Sequence, residues 1–281
     1  MAGVAPLEIG LVFWAEENAE STLTYLTDFG LHAGQLGVPP DMDCDRSLAS
    51  WKNGLEKYGV TATSAVCCYA GEDYANIERV HETVGFTVEK YRAERIQRTK
   101  EIAKFAHALG IRAVSCHIGF IPEDRDAKLY AEMRDLTRIL CDACAEYSQD
   151  FVLETGQESA KVLLGFIGDV QRTNLKVNFD PANMVLYGSG DPIEAFELLS
   201  RHVLSVHCKD GLSPAPGTGL GREVRLGDGE VDFPRFLAQL KKMDYRGLLT
   251  IEREEPDAAT KANDVRTAIT RLNTWKKELG L

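Results

Sequence analysis

In the second half of this 281-residue chain, four short apolar runs each stop at a side chain that can bind a metal ion. Phe151-Val152-Leu153 leads to Glu154, Val177-Asn178-Phe179 to Asp180, Val203-Leu204-Ser205-Val206 to His207, and Leu248-Leu249-Thr250-Ile251 to Glu252. Taken singly, an acid after a strand is usually a helix cap or a solvated loop end, and a buried histidine is usually a hydrogen-bonded core residue. Four successive runs that end this way resist that explanation, because glutamate is a poor N-cap and histidine is not one. Three carboxylates and one imidazole suit a single Mn²⁺, Mg²⁺ or Co²⁺ ion and leave room for water or substrate oxygens. Zn²⁺ stays admissible, although the set lacks the thiolates of a structural zinc site.

Such a set needs a scaffold that brings four strand ends to one point. Runs rich in Val, Ile and Leu alternate with longer amphipathic stretches, the pattern of repeated βα units around a parallel sheet. They begin near Leu7, His32, Val60, Ile111, Asp150, Leu175, Val203 and Gly247. Eight is the strand number of a (β/α)8 TIM barrel, an α/β fold whose usual length of about 250 residues suits one domain here. In a closed barrel the last four strands are neighbours, and the candidate ligands share one arc of the C-terminal mouth, where barrel enzymes build their sites.

Helical spacing is clear over EKYRAERIQRTKEIAKFAHALG, where Ile96, Ile102 and Phe105 mark an apolar stripe and Gly110 the stop. It recurs over RDAKLYAEMRDLTRILCDACAEYS, with Leu129, Met133, Leu136 and Leu140 on one face, and Asp257 to Leu281 reads as a closing helix. Two connections exceed what the scaffold needs: Gly71 to Thr87 after strand three, and GLSPAPGTGLGREVRLGDGEVDF after strand seven. The Gly217-x-Gly219-x-Gly221 pattern in the second is not followed by the helix start of a dinucleotide unit, and it predicts a flexible loop over the substrate.

The formal net charge of -11 and pI near 5.1 repel phosphate backbones and weigh against a nucleic-acid partner. No stretch approaches the roughly 20 apolar residues of a membrane span, and the opening MAGVAPLEIGLVF lacks a signal peptide's basic start, so a cytoplasmic protein is expected. Seven cysteines, an odd number, predict packed thiols, including the C-x-x-C pair Cys141 and Cys144, which has no second pair at zinc spacing.

The motifs LETG at Leu153, NFDPANM at Asn178, SVHCKD at Ser205, GDGEVDF at Gly227 and TIERE at Thr250 resemble those of the xylose-isomerase-like barrels. Within that superfamily they are most similar to the sugar phosphate isomerase/epimerase group, which includes ketose 3-epimerases, hydroxypyruvate isomerases and inosose dehydratases. The resemblance covers the second half fully and the first half more loosely. It implies that Glu154, Asp180, His207 and Glu252 hold the metal and that Glu154 and Glu252 serve as acid and base. A proton α to a carbonyl is lost only when the developing enediolate is stabilised, which a metal bridging carbonyl and hydroxyl oxygens achieves. One glutamate then removes the proton and the other delivers one to the opposite face.

Substrate contacts are expected from His117 after strand four and from Lys209, which shares the inward phase of His207 and competes with an ion pair to Asp210. By the same resemblance Arg225 sits at a substrate-binding arginine position. Epimerases of the group often carry a histidine three residues after the aspartate; Asn183 stands there, able to hydrogen-bond a substrate oxygen but not to carry a proton. Phe13, Trp14, Gln35 and Tyr69 could form a sugar-stacking wall. Lys209, Arg222 and Arg225 could hold a substrate phosphate, although none sits in a phosphate cradle.

The expected function is therefore a metal-dependent isomerase or epimerase of a small sugar, sugar phosphate or polyol, with self-association left open. A lyase would use the same ligands to eliminate water. An apurinic endonuclease would need further histidines where Asn183, Cys67-Cys68-Tyr69 and Glu230 stand. A non-catalytic sugar-binding barrel would not need four intact ligands.

Overall fold

All eight predicted strands form, and they are parallel because each returns through helical or looped crossovers on the outside. In the computed structural model, which describes residues 5–215 and 219–281, they are β1 (Ile9–Trp14), β2 (Ala33–Val38), β3 (Thr61–Cys67), β4 (Ala113–Cys116), β5 (Asp150–Glu154), β6 (Leu175–Phe179) and β7 (Val203–Cys208). After an antiparallel hairpin of β8 (Asp210–Leu212) and β9 (Arg222–Val224), β10 (Leu249–Ile251) closes the barrel between β7 and β1. Helices α1 (Ala19–Thr27), α2 (Cys44–Tyr58), α3 (Ile77–Thr83), α4 (Glu89–Ala108), α5 (Lys128–Ala145), α6 (Ala160–Val170), α7 (Pro181–Tyr187), α8 (Pro192–Leu199), α9 (Phe233–Lys242) and α10 (Ala258–Leu279) occupy the connections. Among the described residues no helix is long and apolar enough to cross a membrane.

The helix starts follow from side chains that accept the free first-turn amides. Asp43, Ser159, Asp191 and Asp257 cap α2, α6, α8 and α10 in this way. The predicted stripe of α5 is buried at Met133, Leu136 and Leu140, and all seven cysteines are free thiols, Cys141 and Cys144 among the buried ones. Outside the barrel, Phe179, Phe196, Phe233 and Phe236 pack edge to face and stacked at centroid separations of 5.3–5.8 Å. This cluster fixes the outer face of β6 against α8 and α9.

Inside the barrel the layer beneath the mouth is polar. Gln35 of β2 donates to Asn178 of β6 at 3.2 Å, a bond between strands that are not neighbours and hence one that crosses the interior. Ser205 of β7 donates to the same Asn178 Oδ1 at 2.6 Å.

The segment after β7 departs from the flexible loop that its glycines predict. It forms the β8–β9 hairpin, and the Asp210 carboxylate accepts the amides of Gly211 (2.9 Å), Gly227 (2.8 Å), Gly229 (3.1 Å) and Val231 (3.2 Å). Asp210 is thus occupied by backbone and is not the partner of Lys209. Gly217 lies outside the described residues.

The glycine of LETG is a packing requirement. Gly156 has φ 148°, and a Cβ there would lie 2.5 Å from Asn183 Cβ. Gly156→Ala is expected to cost about 1–3 kcal/mol through strain at this turn; a urea unfolding titration measures it, and an unchanged midpoint would show that the turn adapts freely.

Candidate metal centre

The predicted four side chains meet at the C-terminal mouth. One donor atom from each of Glu154, Asp180, His207 and Glu252 lies within 4.8 Å of every other. They come from β5, the turn after β6, β7 and the residue after β10, consecutive around the barrel. At the centre is His207 Nδ1, 3.4 Å from Glu154 Oε1, 3.3 Å from Asp180 Oδ2 and 3.2 Å from Glu252 Oε2. With metal–ligand bonds of about 2.0–2.2 Å, ligands across a small divalent ion stand up to about 4.4 Å apart. The donor types and their spread therefore fit such an ion.

Each ligand is aimed by its surroundings. Asp180 divides its carboxylate: Oδ1 caps α7 through the amides of Ala182 (2.8 Å) and Asn183 (3.0 Å), which leaves Oδ2 facing His207. The cap and the candidate ligand, alternatives in the sequence, are one residue. His207 is aimed from behind, with Nε2 2.9 Å from both Gln35 Oε1 and Asn178 Nδ2. A proton on Nε2 donated to Gln35 leaves the Nδ1 lone pair facing the carboxylates, the arrangement that metal-binding histidines use.

The electrostatics carry the same signature. Burial opposes ionisation of Glu252, yet His207 and Lys209 beside it hold its pKa well below the usual range. Burial likewise opposes ionisation of Glu154, and His117 and His207 outweigh it. Asp180 is pushed up, chiefly by burial. Burial works against a charged His207, but Glu252 and Glu154 raise its pKa well above normal. The cluster thus draws positive charge to its centre.

Of the expected substrate contacts, three reach the site. His117 Nε2 lies 3.4 Å from Glu154 Oε1 and Asn183 Nδ2 donates to the same oxygen at 3.1 Å. Lys209 Nζ donates to Glu252 Oε2 at 3.1 Å and Glu254 Oε1 at 2.8 Å. These residues line a cavity of about 390 Å³ above the four carboxylate and imidazole groups. Arg225 does not reach it: its guanidinium donates to Asp264 of α10 at 2.9 Å. Arg222 lies exposed on β9. Of the proposed aromatic wall, Trp14 and Tyr69 line the cavity, whereas Phe13 is buried with its ring stacked 6.3 Å from Trp51. Gln35 lies below, holding His207. Sequence reading missed Tyr74, Leu186, Tyr187, Leu220, Glu72 and Glu254, which also line the cavity from loops.

Loss of the carbonyl behind His207 frees the ring to rotate and to change tautomer. Gln35→Leu, which keeps the volume, is expected to weaken Mn²⁺ binding about 10–100-fold. Calorimetric titration of the metal checks it, and wild-type affinity would remove Gln35 from the support of the centre.

Comparison with known proteins agrees with the geometry. A family model described as Xylose isomerase-like TIM barrel matches residues 26–275. A xylose isomerase domain protein of Planctomyces limnophilus superposes with a TM-score of 0.91 at 36% identity, covering 98% of this chain and 99% of that one. D-Allulose 3-epimerase from Methylomonas sp. superposes with a TM-score of 0.69 over 97% of this chain and all of that one, and its 18% identity speaks for the fold alone. An uncharacterized protein of Methanocaldococcus jannaschii is 23% identical over 192 residues, 63% of this chain and 62% of that protein's length. The chain thus spans about three fifths of that relative. Barrel, ligand geometry and these matches lead to one conclusion: the chain belongs to the xylose isomerase-like TIM barrel family.

Proposed function

We propose that this protein is a divalent-metal-dependent isomerase or epimerase of a sugar or polyol that bears a carbonyl, with Glu154 and Glu252 as its acid and base. The observation that carries the reading is the pair of glutamates on either flank of one buried centre, Glu154 from β5 and Glu252 after β10, each with its own polar partner from the cavity. Family membership supports the enzyme class, and the printed names of similar structures include sugar 3-epimerases.

A divalent cation held by Glu154, Asp180, His207 and Glu252 would supply the positive charge that lowers the cost of negative charge on the substrate's carbonyl and neighbouring hydroxyl oxygens as the α proton leaves. The protein's residues do the proton work. One glutamate takes the α proton and the other returns a proton to the neighbouring carbon or to the opposite face. His117 and Asn183 keep Glu154 oriented and hydrogen-bonded, and Lys209 does so for Glu252. Asn183 has no titrating proton, so it orients the substrate and the transfer falls to the glutamates. Asp180, tied to the α7 amides, serves as ligand only.

Incubation of Mn²⁺-loaded protein with ketoses in D₂O should place deuterium at an α carbon without loss of water, as read by NMR; a dehydrated product would reassign the protein as a lyase. Glu154→Gln and Glu252→Gln should each slow this exchange by about 10²–10⁴-fold with thermal melting close to wild type. Activity retained in both variants would sink the two-base mechanism.

A further inference from the structure

The cavity above the centre has two kinds of wall. Its polar side chains, apart from Glu72, are bonded to the four central residues or to one another: Asn183 and His117 to Glu154, Lys209 to Glu252 and Glu254. Glu72 is occupied at its own loop, accepting the amides of Gly85 (2.8 Å) and Tyr69 (3.3 Å). Much of the remaining lining is carbon, from Trp14, Val66, Leu186, Leu220 and the rings of Tyr74 and Tyr187. Trp14 is 42% exposed, an unusual position for the largest apolar side chain. Its ring lies flat on β2 because Gly37 has no Cβ; one there would come within 2.6 Å of the indole.

The charges of this lining are also one-sided. Four glutamates, Glu72, Glu154, Glu252 and Glu254, face the cavity, against one lysine that two of them already hold. Among the described lining residues there is no arginine. Arg253, next to Glu252 in sequence, is consumed by Asp264 (3.0 Å), Glu223 (2.8 Å) and Glu255 (3.1 Å). The Cys68 thiol on the cavity wall reports the resulting field: burial first, then these same four glutamates, push its pKa up to about 12.

We infer that the substrate is an uncharged keto-sugar or keto-polyol, without phosphate or carboxylate, whose end remote from the reacting carbons is apolar and rests on Trp14 and Leu220. This deepens the isomerase reading and depends on it. A phosphate would meet no free cation and several carboxylates, and a fully hydroxylated end would lose water to carbon without a hydrogen-bond partner in return. A deoxygenated or O-alkylated end exchanges that loss for a gain from apolar burial.

The test is calorimetric titration of Mn²⁺-loaded protein with D-fructose, 6-deoxy-D-fructose and D-fructose 6-phosphate. The deoxy sugar should bind about fourfold more tightly than the parent, the equivalent of about one buried methylene, and the phosphate at least about tenfold more weakly, the effect of uncompensated like charge. Trp14→Ala and Leu220→Ala should each erase the preference for the deoxy sugar while Mn²⁺ affinity stays at the wild-type value. Equal binding of the three sugars, or tighter binding of the phosphate, overturns the inference and leaves the isomerase reading standing. Absence of binding by all three to protein that holds Mn²⁺ overturns both.

Discussion

Three buried carboxylates held within 4.8 Å of one another and of an imidazole set the terms for the rest of this molecule. Withdrawing one ionised carboxylate from water costs several kcal/mol unless it is paired, and like charges this close repel. The surroundings answer each acid separately. Asp180 receives two α7 amides, Glu154 receives Asn183 and His117, and Glu252 receives Lys209. What they leave in common is a point beside His207 Nδ1 where negative potential from three directions is unbalanced, and a small divalent cation is the complement of that point.

Holding His207 there takes the interior of the barrel away from pure apolar packing. Gln35, Asn178 and Ser205 form a buried network that runs from β2 to β6 and β7 behind the ring. Such a network is costly if incomplete and rigid if satisfied. It sits directly beneath the mouth, while the outer face of the same strands keeps its stability in the Phe179–Phe196–Phe236 cluster. One strand, β6, therefore carries aromatic packing on one face and the support of the centre on the other, as the period of two along a strand allows.

The eight strands and four convergent side chains were legible because each strand is a continuous apolar run broken by a single charged or imidazole residue at its end. That contrast survives in one dimension. The support behind His207 was not, since Gln35 and Asn178 are 143 residues apart and become partners only when the barrel closes. Arg225 was misplaced for a similar reason: its partner Asp264 lies on the last helix, and proximity to the GDGEVDF turn said nothing of that competitor. The hairpin after β7 was hidden by composition. Glycines that read as freedom are instead the places where backbone must approach the Asp210 carboxylate, with a Cβ at Gly229 falling 2.1 Å from Oδ1.

Barrel closure bears on how the centre comes into being. Strand β10, which delivers Glu252, is hydrogen-bonded to β7 on one side and to β1 on the other, with Leu249 donating to Glu8 at 2.8 Å and Lys276 of α10 reaching back to Leu7 O at 2.6 Å. During synthesis the first strand must wait, with an open edge, until the chain has passed residue 251. A ribosome-bound fragment can fold Glu154, Asp180 and His207 into place and still present only a three-sided, weakly holding centre. Metal capture is thereby deferred to the moment the two ends of the barrel meet, and the ion becomes the final clasp on a ring that is closed late.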